Sequence, residues 1–464
     1  MRYFIATIYC ALICTACGDD PKPANDATTT DAPAPSDLGT SLNDGAGADG
    51  EQADVEPPKP VDHDLSAPLE TTEVRAGIIN DVNELLTGPK AEGRLGDIKV
   101  YNAHSAFIIE GIRRASGYRY WGGHPVDVAA IVDGVPLPDT YGEYFRSWNF
   151  TVFEPKSVAI IDDGATSGVA HVQIVGGTGR YEFAEHFLTD ILTSDPVDFD
   201  IVYDYRLGVA DQALRLDVTL TNRSSKSVWV DFPLLLSNAG DGAYPFTPGI
   251  GFLEGEIGAI VPYFMAGGQK QSYAWINEIG DIQTFLTVGG VTLMTDDSYK
   301  VLGDEEQVQT VYLAVSGRGP DGVQQIYNAI REAPPSPKVQ GTVALPASAE
   351  GRDKWVAAMD GDVLASLAPI GDDGSFELSL EEGGYELQAF VRGLAASEPS
   401  TISVGPEGAK ALGEALKTNS TLKDLKYAAT RQFPYCQQPL TLRSGPRLQS
   451  LLQSARARGC KARR

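Results

Sequence analysis

The sequence predicts an all-β protein, a large antiparallel sandwich followed by a smaller β-sandwich. Three observations predict it. Between 201 and 232, Ile201, Tyr203, Tyr205 and Leu207, then Leu214, Leu216, Val218 and Leu220, then Val228, Val230 and Phe232 recur at every second position, with polar residues mostly between them. A period of two sends one set to a core and the other to water. Turn-forming residues at Gly208, Asn222-Arg223-Ser224-Ser225 and Asn238-Ala239-Gly240 punctuate the runs. After the break Pro334-Pro335-Ser336-Pro337 a second alternation begins, with Phe376, Leu378 and Leu380 and then Tyr385, Leu387, Ala389 and Val391. More than ten strands with few helices read as a sandwich.

Taken in order, the chain divides at 1–16, 17–70, 71–335, 336–405 and 406–464. The run 3–16 is apolar, follows Arg2 and ends in small residues. It is shorter than the roughly 20 apolar residues of a spanning helix, so it reads as a signal peptide. Residues 18–70 hold 13 acids against Lys22 and Lys59 and almost no large apolar side chain. Such a segment cannot bury enough surface to offset its chain entropy, and it is expected to be a disordered acidic tether. Its Gly45-Ala46-Gly47-Ala48-Asp49-Gly50 matches a dinucleotide fingerprint in form only, since no strand precedes it and no helix follows.

In 71–335 a helix is expected over 74–86, stopped by Gly88-Pro89. Strands are expected at 98–102, 106–111, 150–153, 157–161, 170–175, 272–276 and 309–315, and a closing helix at 322–332. In 336–405 six or seven short strands are expected. Beyond it, a helix is expected over 409–427, and a basic tail follows whose last 34 residues, 431–464, carry eight cations and no acid.

Four resemblances add to this reading. Cys14-Thr15-Ala16-Cys17 resembles the lipobox of bacterial lipoproteins, departing from it at Cys14 where Leu is usual. It implies lipid attachment at Cys17, and Gly18 after it implies an outer-membrane lipoprotein or cell-surface location in the cell envelope. The stretch 203–236 resembles the central strands of the galactose-mutarotase-like supersandwich. Gly88-Pro89, Gly93-Arg94-x-Gly96-Asp97, Asn102, Phe107, Gly111, Arg113 and Tyr120-Trp121-Gly122-Gly123-His124-Pro125-x-Asp127 resemble the sandwich region of myxobacterial-type carbaryl-hydrolase-class metallohydrolases. That likeness covers about 72–400 and stops short of the catalytic part. The order of Gly-Thr-Val, Asp-x-Gly-x-Phe and Gly-x-Tyr-x-Leu-x-Ala in the second module, with Gly383-Gly384-Tyr385 at the tight turn, resembles the carboxypeptidase-regulatory-like, prealbumin-like fold. Such modules act as spacers, stabilisers or binding additions.

The chemistry is sparse. A net charge of -25 argues against nucleic-acid binding. The five His residues are 63, 104, 124, 171 and 186, and no two are spaced as metal ligands. No Gly-x-Ser-x-Gly elbow occurs. Cys436 and Cys460 are a candidate disulfide in an oxidising compartment. Calcium is the one cofactor entertained, at Asp162-Asp163-Gly164, Asp296-Asp297 or Asp372-Asp373-Gly374, though Asp-Asp-Gly more often makes a plain turn. If the fold works on sugars, His124 or His171 would act with Glu254 or Glu256. The candidate ligand surface is Arg113, Tyr120, Trp121, His124 and Asp127, where aromatic faces suit sugar rings and glycines admit a ligand. The simpler reading, and the favoured one, has Tyr120 and Trp121 packing a loop and Arg113 pairing with a carboxylate. The expected role is non-catalytic binding or scaffolding at the envelope. Its partners are the membrane through the lipid, and a glycan or another envelope protein. The alternatives are a sugar-modifying enzyme of mutarotase-like fold and the accessory half of a metallohydrolase.

Overall fold

The computed structural model describes residues 63–115, 117–181, 197–230, 233–238, 243–247, 251–252, 260–268, 270–288, 291–295, 299–405 and 416–417. The first strands are β1 (Val74–Ile78), β2 (Ile98–Asn102), β3 (Ser105–Ile109), β4 (Pro125–Val132) and β5 (Val135–Pro136), which form one five-stranded sheet in that order. Next come β6 (Glu143–Trp148), β7 (Thr151–Asp163), β8 (Val169–Arg180), β9 (Asp200–Gly208), β10 (Ala213–Thr221), β11 (Val228–Val230), β12 (Pro233–Asn238), β13 (Ala243–Thr247) and β14 (Gly251–Phe252). They are followed by β15 (Ile260–Val261), β16 (Phe264–Gly268), β17 (Ser272–Asn277), β18 (Ile282–Val288), β19 (Val291–Thr295), β20 (Tyr299–Val301) and β21 (Glu306–Ser316). Apart from β11 and β20, which pair with each other, these join a 14-stranded sheet whose centre runs β17-β21-β10-β9-β8-β7. All of its pairings are antiparallel. No helix among the described residues is long and apolar enough to cross a membrane.

The alternation read from the sequence becomes burial. Along β9, Ile201, Tyr203, Tyr205 and Leu207 are buried and the residues between them half-exposed. They meet Val74, Val100, Phe107 and Val128 of the five-stranded sheet in the main core. Phe153 stacks on Tyr203 at 4.1 Å between ring centres. A fully buried Phe contributes about 1.5–3 kcal/mol relative to an exposed one. The two strands expected at 150–153 and 157–161 are one strand, β7, bent by bulges near Pro155 and Ile160.

The helix expected over 74–86 is absent. Val74 and Ala76 are buried with Arg75 between them, so the local period is two, and the segment pairs with β2. Within that stretch the helical part is a 3-10 turn at Val82–Glu84 held by the Asp81–Glu84 capping box. Residues 63–70, placed in the tether by the sequence reading, are described in the structure. Residues 63–69 strap the outer face of the five-stranded sheet, with Leu65 buried among Ile79, Leu86, Tyr101 and Ile108. The Lys99 ammonium donates to the carbonyls of Leu65 at 2.7 Å and Glu84 at 2.9 Å. The Glu84 carboxylate accepts from the Leu65 amide. Burial lowers the Lys99 ammonium to about 8.

One α-helix is described, α1 (Gly319–Ile330), close to the expected 322–332. Gly322 is obligatory there, because a Cβ would lie 2.0 Å from the Ser316 hydroxyl. The small module follows as β22 (Lys338–Ala344), β23 (Lys354–Asp360), β24 (Val363–Pro369), β25 (Ser375–Ser379), β26 (Gly383–Val391), β27 (Ser400–Val404) and β28 (Leu416–Lys417). Sheets β25-β22-β28 and β24-β23-β26-β27 enclose their own core around Val339, Val356, Leu378 and Ala389. Within the expected helix at 409–427, Leu416–Lys417 is a strand paired in parallel with Val343 and Ala344. The rest of that stretch, with Cys436 and Cys460, lies outside the described residues, as does Cys17. The module is no free spacer. Val323 and Ile326 of α1 share a core cluster with Met265 and Ile276 of the large sheet and Ala357 and Leu367 of the module. Large sandwich, helix and module belong to one compact unit.

Candidate functional site

The segment 111–124 leaves β3 and returns to β4 as a hairpin-like excursion. The Ala115 amide donates to the Tyr120 carbonyl, and the Gly122 amide to that of Arg113. Two of its charged residues, Arg113 and Arg119, pair with carboxylates of the sandwich. Arg113 pairs with Asp97 at 2.7 Å and Glu110 at 3.1 Å, the arrangement of the simpler reading. Arg119, buried, lies 3.2 Å from Glu110 and 3.6 Å from Glu143. Glu143 also accepts the amides of Tyr118 and Arg119. His124 and Asp127 are interior residues. His124 stands edge-on to Phe153 and Tyr203. Burial first, and the Arg119 charge second, hold its imidazole well below the usual range, so it is neutral. Asp127 accepts the amides of Glu92 and Gly93, and burial raises it to about 6. Of the five candidate residues, Arg113, Tyr120 and Trp121 reach solvent, and Arg114 already sits over the Tyr120 ring. The glycines serve the backbone rather than a ligand. A Cβ on Gly122 would lie 2.0 Å from the Gly111 carbonyl oxygen, and one on Gly93 would lie 2.6 Å from the Asp127 carboxylate.

The aspartates considered for calcium are turn builders. Asp162 and Asp163 accept the amides of Gly164 and Ala165, and Asp163 also bonds His63. Asp372 binds Lys354, and Asp373 bonds the amide and hydroxyl of Ser375. Asp296-Asp297, His186, Glu254 and Glu256 lie outside the described residues. Among the described residues no group of three or more His, Cys, Asp or Glu is placed to hold a metal ion.

A different place gathers polar side chains. On the face of the large sheet away from the main core, register aligns His171, Arg206, Arg215 and Tyr312 in one row across β8, β9, β10 and β21. Gln173, Asp204, Asp217 and Thr310 form the next row. The rows are stitched diagonally. His171 Nε2 is 2.6 Å from Asp204, and Gln173 donates to the same oxygen. Asp217 accepts from Arg206, Arg215 and Thr310. This explains why Asp217 is buried against the alternation of β10. Its hydrogen bond holds the Arg215 guanidinium even more firmly protonated than usual.

The Arg206–Arg215–Tyr312 end of the ladder opens into a groove of about 570 Å³. One wall is polar: Arg206, Arg215, Tyr312 and the β9–β10 turn at 208–213. The other is α1, presenting Gln325, Ile326, Ala329 and Ile330. Asn102, fully buried, fixes the turn by donating to the carbonyls of Gly208 at 2.8 Å and Asp211 at 2.7 Å. The Gln325 amide nitrogen is buried without a hydrogen-bond partner among the described residues. The arrangement can take hydroxyls on the polar wall and a flat apolar face on the helix. Sequence reasoning missed it because Arg206, Arg215 and Tyr312 meet only through strand register. The one available signal was the run of cations and aspartates on the outward positions of β9 and β10.

No protein-family model matches the chain, and no curated protein matches it. Solved structures show partial likeness. The GH36 α-galactosidase AgaA of Geobacillus stearothermophilus is 10% identical, with a TM-score of 0.32, over 50% of this chain and 42% of that one. The α-galactosidase of Lactobacillus brevis is 8% identical, with a TM-score of 0.31, over 53% of this chain and 44% of that one. An α-mannosidase of Enterococcus faecalis V583 is 12% identical, with a TM-score of 0.31, over 50% of this chain and 31% of that one. The chain therefore spans less than half the length of each of these three.

Proposed function

We propose that this chain is a non-catalytic binding protein displayed at the cell envelope by a lipid on Cys17, and that the groove between the β9–β10 ladder and α1 takes a neutral carbohydrate. The observation that carries this reading is the groove's two-walled chemistry. Guanidinium and phenol groups face Ile326, Ala329 and Ile330 of the helix across a volume of about 570 Å³. A sugar ring asks for both, hydrogen bonds at its edge and apolar contact at its face. Arg206 and Arg215 are balanced internally by Asp204 and Asp217, which suits an uncharged ligand. Their guanidinium groups keep further N–H donors.

Glycan-array screening followed by titration calorimetry tests the reading. Arg215→Ala and Tyr312→Ala are expected to weaken binding at least about tenfold, the scale of one hydrogen bond to a charged group. Trp121→Ala is expected to leave it unchanged. No glycan bound by the wild type, or binding indifferent to both groove variants, sinks it. Palmitate labelling of wild type against Cys17→Ser tests the anchor.

The sugar-modifying alternative has one observation in its favour. His171 and Asp204 lie 2.6 Å apart and only partly buried, beside Arg206 of the groove. A carboxylate in that position can orient an imidazole for proton transfer. Anomer interconversion followed by NMR, lost in His171→Asn, would favour this alternative over simple binding.

A further inference from the structure

We propose that the small β-sandwich is the clamp that sets the groove, acting through Asp321 at the start of α1. This rests on the reading of the groove as a ligand site.

The Asp321 side chain is fully buried where the helix meets the module. It accepts from the Ser366 hydroxyl of β24 at 2.8 Å, from the Ser379 amide of β25 at 2.8 Å, and from Arg318 at 2.8 Å. A buried carboxylate is tolerable only when its lone pairs are met in this way. The first turn of α1 is thereby pinned to the module by hydrogen bonds, while Val323 behind it packs on the large sheet.

Asp321, Gln325 and Ala329 are spaced by four and form one row along the helix. The first residue of the row holds the module; the other two line the groove. A second link runs in parallel. Ile326 and Ile330 line the groove and belong to the same apolar cluster as Ala357, Leu367 and Trp355 of the module. Gly319, just before the pin, has left-handed φ of +69°, and a Cβ there would lie 3.0 Å from the Trp355 ring. Releasing the module would therefore remove one of the two supports of the groove wall contributed by the helix, the other being the large sheet under Val323 and Ile326. By linkage, a ligand that needs that wall must in turn stabilise module docking by the same factor.

Hydrogen exchange and glycan titration on the full chain test this. Asp321→Ala is expected to speed exchange in β24 and β25 and also at 325–330, and to weaken glycan binding at least about fivefold. In the wild type, saturating glycan is expected to slow exchange in β24 and β25, which the groove does not touch. Asp321→Asn, which keeps one acceptor for the Ser379 amide, is expected to fall between; it replaces the alanine variant if that fails to fold. Faster exchange in the module with 325–330 and affinity unmoved overturns the proposal. If the wild type binds no glycan, the ligand reading fails, and the clamp is then decided by exchange at 325–330 alone.

Discussion

The excursion at 111–124 and the outer face of the large sheet are built from the same side chains and put them to opposite uses. In the first, Arg113 and Arg119 meet Asp97, Glu110 and Glu143, and Arg119, Glu110 and Asp97 are almost wholly buried. In the second, Arg206 and Arg215 meet Asp204 and Asp217 with their side chains 36% and 42% exposed. Interior charges cannot reorganise around a ligand without an unpaired neighbour being left behind. Charges at the ladder can, because water stands in for any partner they give up. A cluster rich in Arg, His and aromatic residues is thus a fold staple when it faces inward, and keeps its polar groups open to solvent when it lies on an open sheet.

The sharpest way to break this contrast is to remove one cation from each place. Arg119→Ala leaves buried Glu143 without its cation and Glu110 with Arg113 alone, and a loss of about 3–5 kcal/mol is expected. Arg206→Ala is expected to cost less than about 1 kcal/mol, as exposed pairs do. Urea unfolding of both variants measures the difference; comparable losses would remove the distinction.

The distinction could be read from the sequence only in part. Alternation at 201–220 located β9 and β10 and told inward from outward residues, since a period of two leaves a strand no other choice. The same alternation at Val74 to Ile78 was too short to outweigh a helical pattern, and pairing with β2 decided it. The strap at 63–69 left little trace. Its hold is mainly on backbone atoms, with Lys99 and Tyr101 donating to carbonyls 34 to 37 residues away. The groove was hidden for a related reason. Arg206 and Arg215 oppose each other, and Arg215 opposes Tyr312, through ladders joining strands up to about a hundred residues apart. The segment 113–127 was conspicuous in sequence because burying so many charges requires many partners and glycines close by.

A second test uses pH. Burial raises Asp139 to about 8 and Asp127 to about 6. Both folded values lie above the ordinary carboxyl near 3.8 of the unfolded chain, so the folded state holds the extra protons. Their contribution is full at acid pH and is lost as pH rises through 6 and then 8. Asp139 accepts the amides of Val128 and Tyr141 on one oxygen, which an Asn can also do. Asp139→Asn is therefore expected to flatten the fall in stability between about pH 4 and 8, by up to about 1.4 kcal/mol per pH unit. An unchanged slope in unfolding midpoints across that range would show that Asp139 is charged in the fold.

The smallest expected effect sharpens the contrast at its exposed end. A double-mutant cycle on Arg206 and Asp217 is expected to give a coupling of at most about 1 kcal/mol that shrinks as salt is raised. Asp217 complicates the outcome usefully. It accepts from three donors on β9, β10 and β21, so removing Arg206 alone leaves Arg215 and Thr310 to hold it. Asp217→Asn alone, by contrast, frees two guanidinium groups at once. If the ladder is a recognition surface, Asp217→Asn is expected to alter glycan affinity more than stability, because those two groups line the groove. If it is a staple like the excursion, stability will move first and the coupling will survive high salt.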